Sequence, residues 1–309
     1  MTCSGISVKR VRPLLGTFVE IALQGPVDEA VLHRWMTRGF SAVSQVDQLM
    51  SVHRPDSDMT HLNQADAGEW VRVDPLTMNV LKAANELWEI TRGLFDIRSG
   101  MAGGRSGGWP EQRLAGESGI GTPIKYLHKV PITAALASRC SGHPPLRFSA
   151  VGVCKSGPWI FDLGGIAKGF AVDEAVECIQ RLASRFEISG SVNAGGDLRL
   201  WGNPPAPAAV RIDGMKRSWI KPFCASRFAM ATSAVRRTAG AAPVSYRNFL
   251  SGRLLKRPYT ATVIADRCLW ADALTKVVLL GNKEMTTRCL AFYGAQGVLY
   301  DGRARVINR

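Results

Sequence analysis

The stretch Trp159-Ile160-Phe161-Asp162-Leu163-Gly164-Gly165-Ile166-Ala167-Lys168-Gly169-Phe170-Ala171-Val172-Asp173-Glu174-Ala175 decides how the rest of the chain is read. Trp159, Ile160 and Phe161 are apolar and predict a strand end. Gly164 and Gly165 interrupt it. Apolar residues then recur at Ala171, Val172, Ala175, Val176, Ile179, Leu182 and Phe186, in steps of three and four that mark one helix face. The segment therefore predicts strand, glycine turn, helix. Glycines allow a tight turn and a close backbone approach to a ligand. The first N–H groups of such a helix point into the same gap, with the positive end of the dipole behind them. Lys168 adds a full charge. This combination suits a phosphate or pyrophosphate. A plain turn with a solvated lysine fits the same residues. The spacing matches neither G-x-x-x-x-G-K-[ST] nor G-x-G-x-x-G, so the P-loop and Rossmann fingerprints do not apply.

Working outward, the chain has 309 residues, 46% hydrophobic and 21% charged, which is ordinary globular composition for one large domain or two closely packed ones. Lys and Arg number 39 against 25 Asp and Glu, a formal charge of +14 that favours anionic partners. The basic residues are dispersed, with short clusters such as Lys9-Arg10-Val11-Arg12 and Arg236-Arg237 and no basic helix interleaved with aromatics. Nucleic acid is therefore not the expected partner. The seven cysteines are odd in number and none are in C-x-x-C spacing. Together with an N-terminus lacking an apolar core, they predict a reduced, cytoplasmic chain. No run of 18 apolar residues exists, so no membrane-spanning helix is expected.

Before the central stretch, residues 1–10 are expected as a tail. A strand follows Gly16, and helical spacing runs over 28–50. Ser57 or Asp58 is placed to cap a short helix reaching Asn63. Residues 69–73 form a short strand, and Asp74-Pro75 opens a helix to Thr91. Residues 99–123 hold eight glycines and predict a surface loop, either a lid or a segment without a role. A short helix is expected at 131–138, and residues 147–153 and 158–161 are expected to pair as strands. After the central helix, Asn193-Ala194-Gly195-Gly196-Asp197 predicts a hairpin turn. Further strands are expected at 210–213, 228–233, 259–265 and 297–300. Residues 270–281 form a helix on which Asp272, Thr275 and Lys276 share a face.

Taken in order, seven pieces resemble the ApbE family, the FAD:protein FMN transferases. They are Leu15-Gly16-Thr17-Phe18-Val19-Glu20; 50–58 with Leu62-Asn63; Gly93-Leu94-Phe95-Asp96; 161–173; 193–197; Ala231-Thr232-Ser233; and Ala271-Asp272-Ala273-Leu274. The Asp162-to-Gly169 motif is specific, and the others gain weight as an ordered set.

The resemblance implies an α+β fold: a single compact, two-lobed domain over 11–309, with mixed or antiparallel sheets, flanking helices and the flavin between the lobes. It implies an enzyme that transfers FMN from FAD to a threonine hydroxyl of a target flavoprotein, with Mg2+ at the pyrophosphate and AMP as the product. Lys168 with Gly164 and Gly165 would hold pyrophosphate. Asp173 would hold flavin or ribose hydroxyls, and Gly195, Gly196 and Asp197 would line the flavin pocket. Asp272, the carbonyl near Ala167, and Thr275 or water would hold the metal. Asp272 and Lys168 would carry the chemistry by offsetting charge at the cleaved pyrophosphate.

Two departures from the family pattern stand out. Lys276 occupies the place of a family threonine four residues after Asp272. Either its ammonium pairs with Asp272 in the metal's place, or it points away while Thr275 or water completes the shell. The expectation is a weakened, usable metal site with Asp272 as its main ligand. Second, alignment on Ser251-Gly252 puts Ser245 and Asn248 where the family has histidine and aspartate, so a base is in question. His53 and His61 are expected on the surface or in packing. Two rival functions follow: an FAD pyrophosphatase giving FMN and AMP, or a non-catalytic FAD-binding or delivery protein.

Overall fold

A computed structural model of the chain describes residues 5–100, 144–157, 159–202, 227–235, 246–247, 254–255, 259–300 and 304–308. The expected loop beyond residue 100, the helix at 131–138, the strand at 210–213, and Ser245 and Asn248 lie outside the described residues.

Strands β1 (Ile6–Leu14) and β2 (Thr17–Gly25) form a hairpin. Residues 6–10, expected as a tail, are thus the first half of β1. Along β2, Val19, Ile21 and Leu23 are buried while the residues between them are not, the period of two of a sheet with one covered face. β6 (Ser189–Ala194), β7 (Asp197–Trp201), β8 (Arg227–Ala234), β11 (Thr260–Ala265), β12 (Gln296–Tyr300) and β13 (Ala304–Asn308) complete an eight-stranded sheet. Its order is β1-β2-β6-β7-β8-β11-β12-β13, and every neighbouring pair is antiparallel. The strand expected to be last, β12, is followed by β13.

One face of this sheet is covered by helices. α1 (Glu29–Met50) packs on β1 and β2, α4 (Ala167–Leu182) on β6 and β7, and α5 (Cys268–Leu280) on β8 and β11. α5 is apolar nearly all round, with Leu269, Ala271, Ala273, Leu274, Val277 and Val278 buried, as a helix enclosed on all sides requires. Ala229, Ala231 and Ala261 beneath it are small enough for close packing. α6 (Lys283–Phe292) packs on β12 and β13. The sequence reading missed α6, although Asn282 caps it by accepting from the Met285 amide at 2.8 Å. On the other face of the sheet, Phe228 and Met230 form a separate small cluster with Leu198, Leu200 and Ile264.

α2 (Asp58–Gln64) and α3 (Pro75–Ile90) start where expected, capped by Ser57 and Asp74. Between them lies β3 (Trp70–Val71), which joins β4 (Leu146–Phe148) and β5 (Val153–Lys155) in a small sheet of order β3-β5-β4. β9 (Tyr246–Arg247) and β10 (Leu254–Leu255) pair with each other. The architecture is thus α+β with antiparallel sheets and flanking helices. One continuous apolar core runs from Val8 to Ala295.

Two expectations about the central stretch are corrected. Residues 159–161 pair with no strand among the described residues, and the segment expected to partner them instead pairs Leu146–Phe148 with Val153–Lys155 as the β4–β5 hairpin. Phe161 instead bonds to the side chain of Asn63, and the Asp162 amide donates to Ile97 O at 2.9 Å. At the far end of α4, Leu182 is 44% and Phe186 49% exposed, so the buried stripe ends at Ile179.

No helix among the described residues is long and apolar enough to cross a membrane. Cys154, Cys178, Cys268 and Cys289 are free thiols, and the other three cysteines lie outside the described residues.

Candidate functional site

The Gly164–Gly165 turn leads into α4 at Ala167. Its amides are largely spent within the protein. Gly164 donates to Asp162 Oδ1 at 2.8 Å, Ala167 to Leu163 O at 2.8 Å, Gly169 to Asp272 Oδ2 at 3.2 Å and Phe170 to Ile166 O at 3.2 Å. The expectation that open helix amides face a ligand is corrected to that extent. The positive charge at the turn comes from lysine side chains.

Lys168 Nζ donates to Gly164 O at 3.1 Å and lies 3.9 Å from Asp197 Oδ2, with a third of its side chain exposed. Asp197 enters from the β6–β7 hairpin. Its turn residues, Gly195 and Gly196, have φ of +65° and +111°, the positive values that a two-residue hairpin turn needs. A Cβ on Gly195 would lie 2.7 Å from Thr17 Oγ1, so glycine there also lets the hairpin sit against β2. Asp197 Oδ2 is buried without a hydrogen bond among the described residues. Burial, and then the neighbouring Asp272 carboxylate, push the Asp197 carboxyl up to about 7, against the pull of Lys168 and Lys276.

Asp272 comes from α5 and is 1% exposed. α5 reaches α4 here because residue 169 is glycine: a Cβ there would lie 2.2 Å from Cys268 O and 2.8 Å from Asp272 Cβ. The sequence signal was a lone glycine inside a helical pattern, which marks close packing. Lys276 Nζ donates to Asp272 Oδ1 and, at 3.0 Å, to Asp272 O. Burial works to raise the Asp272 carboxyl, but Lys276, Lys168 and the Gly169 amide overcome it and hold the pKa below its ordinary value. The stem of Lys276 runs over the glycine turn, with its Cε 3.4 Å from the point where a Cβ of Gly165 would be.

Thr275 is turned elsewhere. Its hydroxyl donates to Asp272 O at 2.6 Å and shares a 2.7 Å hydrogen bond with Ser233 Oγ, a partner that sequence reading did not name. This bears on the expected magnesium ion. One Asp272 oxygen is held by the Gly169 amide, the other by an ammonium, and Thr275 is committed to Ser233 and a carbonyl. Ala167 begins α4, two residues before the amide that holds Asp272. Among the described residues, no group of three His, Cys, Asp or Glu side chains is placed to hold a metal. As arranged, these residues do not fit a divalent cation, because its place at Asp272 is filled by a cation on a tether. Of the two arrangements open for Lys276, the structure has the paired one.

Asp173 is taken up by the protein as well. Oδ1 accepts from Arg199 at 2.6 Å and from the Cys268 amide at 2.9 Å, while Oδ2 accepts from the Leu269 amide at 2.9 Å. It is fully buried, and burial raises its pKa although Arg199, the two amides and Arg267 pull the other way. α5 has no side-chain cap of its own, so Asp173 caps its N-terminus from α4. That differs from the flavin- or ribose-binding role expected for it.

Burial and the nearby carboxylates of Asp197, Asp173 and Asp272 push the Cys268 thiol well up, so it is no nucleophile. Burial lowers the pKa of His53, against Asp162 and Asp47.

The structure thus gathers Gly164, Gly165, Lys168, Asp197, Asp272 and Lys276 around one turn and leaves Asp173 behind it as a support. A separate cavity of about 400 Å3 is lined by Lys82 and Arg267 but also by Glu86, Glu174 and Glu177. Three carboxylates against two cations make it the poorer anion site.

The fold is a helix-covered antiparallel sheet that carries a lysine-bracketed glycine turn at the start of one helix. The family model described as the ApbE family matches residues 15–296, and the chain belongs to that family. It is 27% identical over 288 residues to an FAD:protein FMN transferase of Vibrio cholerae, covering 88% of this chain and 80% of the relative. Its fold is similar to that of the flavin transferase ApbE from Vibrio cholerae, with a TM-score of 0.71 and 21% identity over 98% of this chain and 97% of that one. An ApbE protein from Thermotoga maritima gives a TM-score of 0.74 at 21% identity, covering 97% and 96% of the two chains.

Proposed function

We propose that this chain is an enzyme, a transferase that moves FMN from FAD to a threonine hydroxyl of a target flavoprotein and releases AMP. The observation that carries the reading is the Gly164–Gly165 turn bracketed by Lys168 and Lys276, in a chain of the ApbE family with a relative named FAD:protein FMN transferase. In the proposed step the threonine oxygen attacks the FMN-side phosphorus. The bond from that phosphorus to the bridging oxygen breaks, AMP leaves with the bridging oxygen, and the hydroxyl proton passes to solvent. Negative charge grows on the pyrophosphate oxygens as AMP departs, and ammonium groups fixed beside them stabilise that state more than the ground state. Lys168 also holds the turn through Gly164 O, which keeps its charge in place. No part is assigned to a metal, since the present arrangement of Asp272, Thr275 and Lys276 does not fit one. A cytoplasmic setting is part of the same proposal.

The test is purified protein with FAD and a threonine-bearing acceptor peptide, analysed by mass spectrometry. Peptide carrying FMN through a phosphoester, with AMP released in equal amount, is the expected result. Free FMN with AMP would favour the pyrophosphatase reading, and unchanged FAD the binding or delivery reading.

A further inference from the structure

Two lysines from different helices bracket the same glycine turn. Lys168 in α4 reaches back to Gly164 O at 3.1 Å. Lys276 in α5 crosses over Gly165, its Cε 3.4 Å from where a Cβ would stand, and ends on Asp272. The Lys276 ammonium is in contact with both a side-chain and a main-chain oxygen of Asp272, while the Gly169 amide holds the second carboxylate oxygen. Its side chain is only 12% exposed and Asp272 is nearly sealed. A divalent cation arriving at Asp272 would have to displace that ammonium and then find ligands. Thr275 is already committed to Ser233 and a carbonyl. Mg2+ demands near-octahedral oxygen coordination and dehydrates reluctantly, so a single contested carboxylate holds it poorly.

We infer that Lys276 is a resident cation that takes the place of a divalent metal at Asp272, so that this chain binds a pyrophosphate ligand without one. The inference rests on the FAD reading for the ligand's identity, but its metal arm stands without FAD. An ammonium brings one positive charge where the metal would bring two, and Lys168 on the other side of the turn supplies a second.

Two measurements on the full chain test this. In the first, Mn2+ is titrated into the FAD-free protein and followed by electron paramagnetic resonance. Wild type is expected to show no saturable site, and Lys276→Thr to gain one that Asp272→Asn removes. In the second, calorimetry compares FAD binding in chelator and in millimolar Mg2+. Wild-type affinity is expected to agree within about twofold between the two conditions. Lys276→Thr is expected to lose about tenfold in chelator and to recover with Mg2+. A wild-type Mn2+ site that Asp272→Asn abolishes, or wild-type FAD binding tightened about tenfold by Mg2+, would overturn the inference. Both readings use wild-type protein, so they hold even if Lys276→Thr fails to fold. Absence of FAD binding in every condition would overturn the FAD reading instead, and the Mn2+ titration would then decide this one alone.

Discussion

The side chain of Asn63 and the main chain of Phe161 exchange two hydrogen bonds: Asn63 Nδ2 donates to Phe161 O at 2.9 Å, and Phe161 N donates to Asn63 Oδ1 at 2.7 Å. One amide side chain thus does for Phe161 what a neighbouring strand would have done. It fixes the chain three residues before the Gly164–Gly165 turn. Both residues are buried, so neither backbone group has water as an alternative partner.

Asn63→Ala should therefore destabilise the protein strongly. Two buried backbone groups lose their partners, at about 1–3 kcal/mol each. Urea unfolding should show a lower midpoint with an unchanged slope. A loss below about 1 kcal/mol would mean that Phe161 finds other partners.

Asp173 and Arg199 form a buried ion pair, and Asp173 also caps α5. Asp173→Ala leaves the buried Arg199 guanidinium with only the longer ion pair to Glu177 at 3.7 Å and uncaps the helix, at a cost of about 3–5 kcal/mol. Thermal denaturation should show a large drop, and any loss of FAD affinity should track the fraction unfolded. Weaker FAD binding with an unchanged melting temperature would restore a ligand-contacting role for Asp173.

Lys168→Ala should weaken FAD more than riboflavin, because riboflavin has no phosphate for the ammonium to hold. Lys168 is a third exposed. An effect of about tenfold on FAD is expected, near the lower end for a charged hydrogen bond. Calorimetry with the two ligands separates the cases, and equal losses for both would place the lysine away from the pyrophosphate.

Asp197 sets a pH dependence. Its folded-state pKa is raised from an ordinary 3.8 to about 7. Between those values the folded chain holds a proton that the unfolded chain has released. The stability this proton brings is complete below about 3.8 and is lost as pH rises through about 7. Asp197→Asn cannot ionise. Its melting temperature relative to wild type should therefore climb from about pH 4 to about pH 8 and then level off. A difference that stays flat over this range would show that Asp197 titrates as an ordinary carboxyl.

What could be read from the sequence is local. Helix periodicity in α1 and α3, the caps at Ser57 and Asp74, and the Gly195–Gly196 hairpin each depend on residues a few positions apart. The ordered motifs from Leu15 to Leu274 sufficed to identify the family. The same local reading over-extended the apolar face of α4 to Leu182 and Phe186, since spacing cannot tell where the neighbouring helix ends.

The tertiary structure decided who holds whom. Asn63 and Phe161 are 98 residues apart, and Asp173 is 95 from the Cys268 amide it caps. No spacing rule links such pairs, so nothing in the sequence marked Asp173 as the cap of α5. Lys276 shows the division most plainly. Its i, i+4 relation to Asp272 allowed either pairing or an outward course. The choice fell to burial: in a site where Asp272 is nearly dry, an unpaired carboxylate is costly. The helix contact at Gly169, which packs α5 against α4, creates that burial.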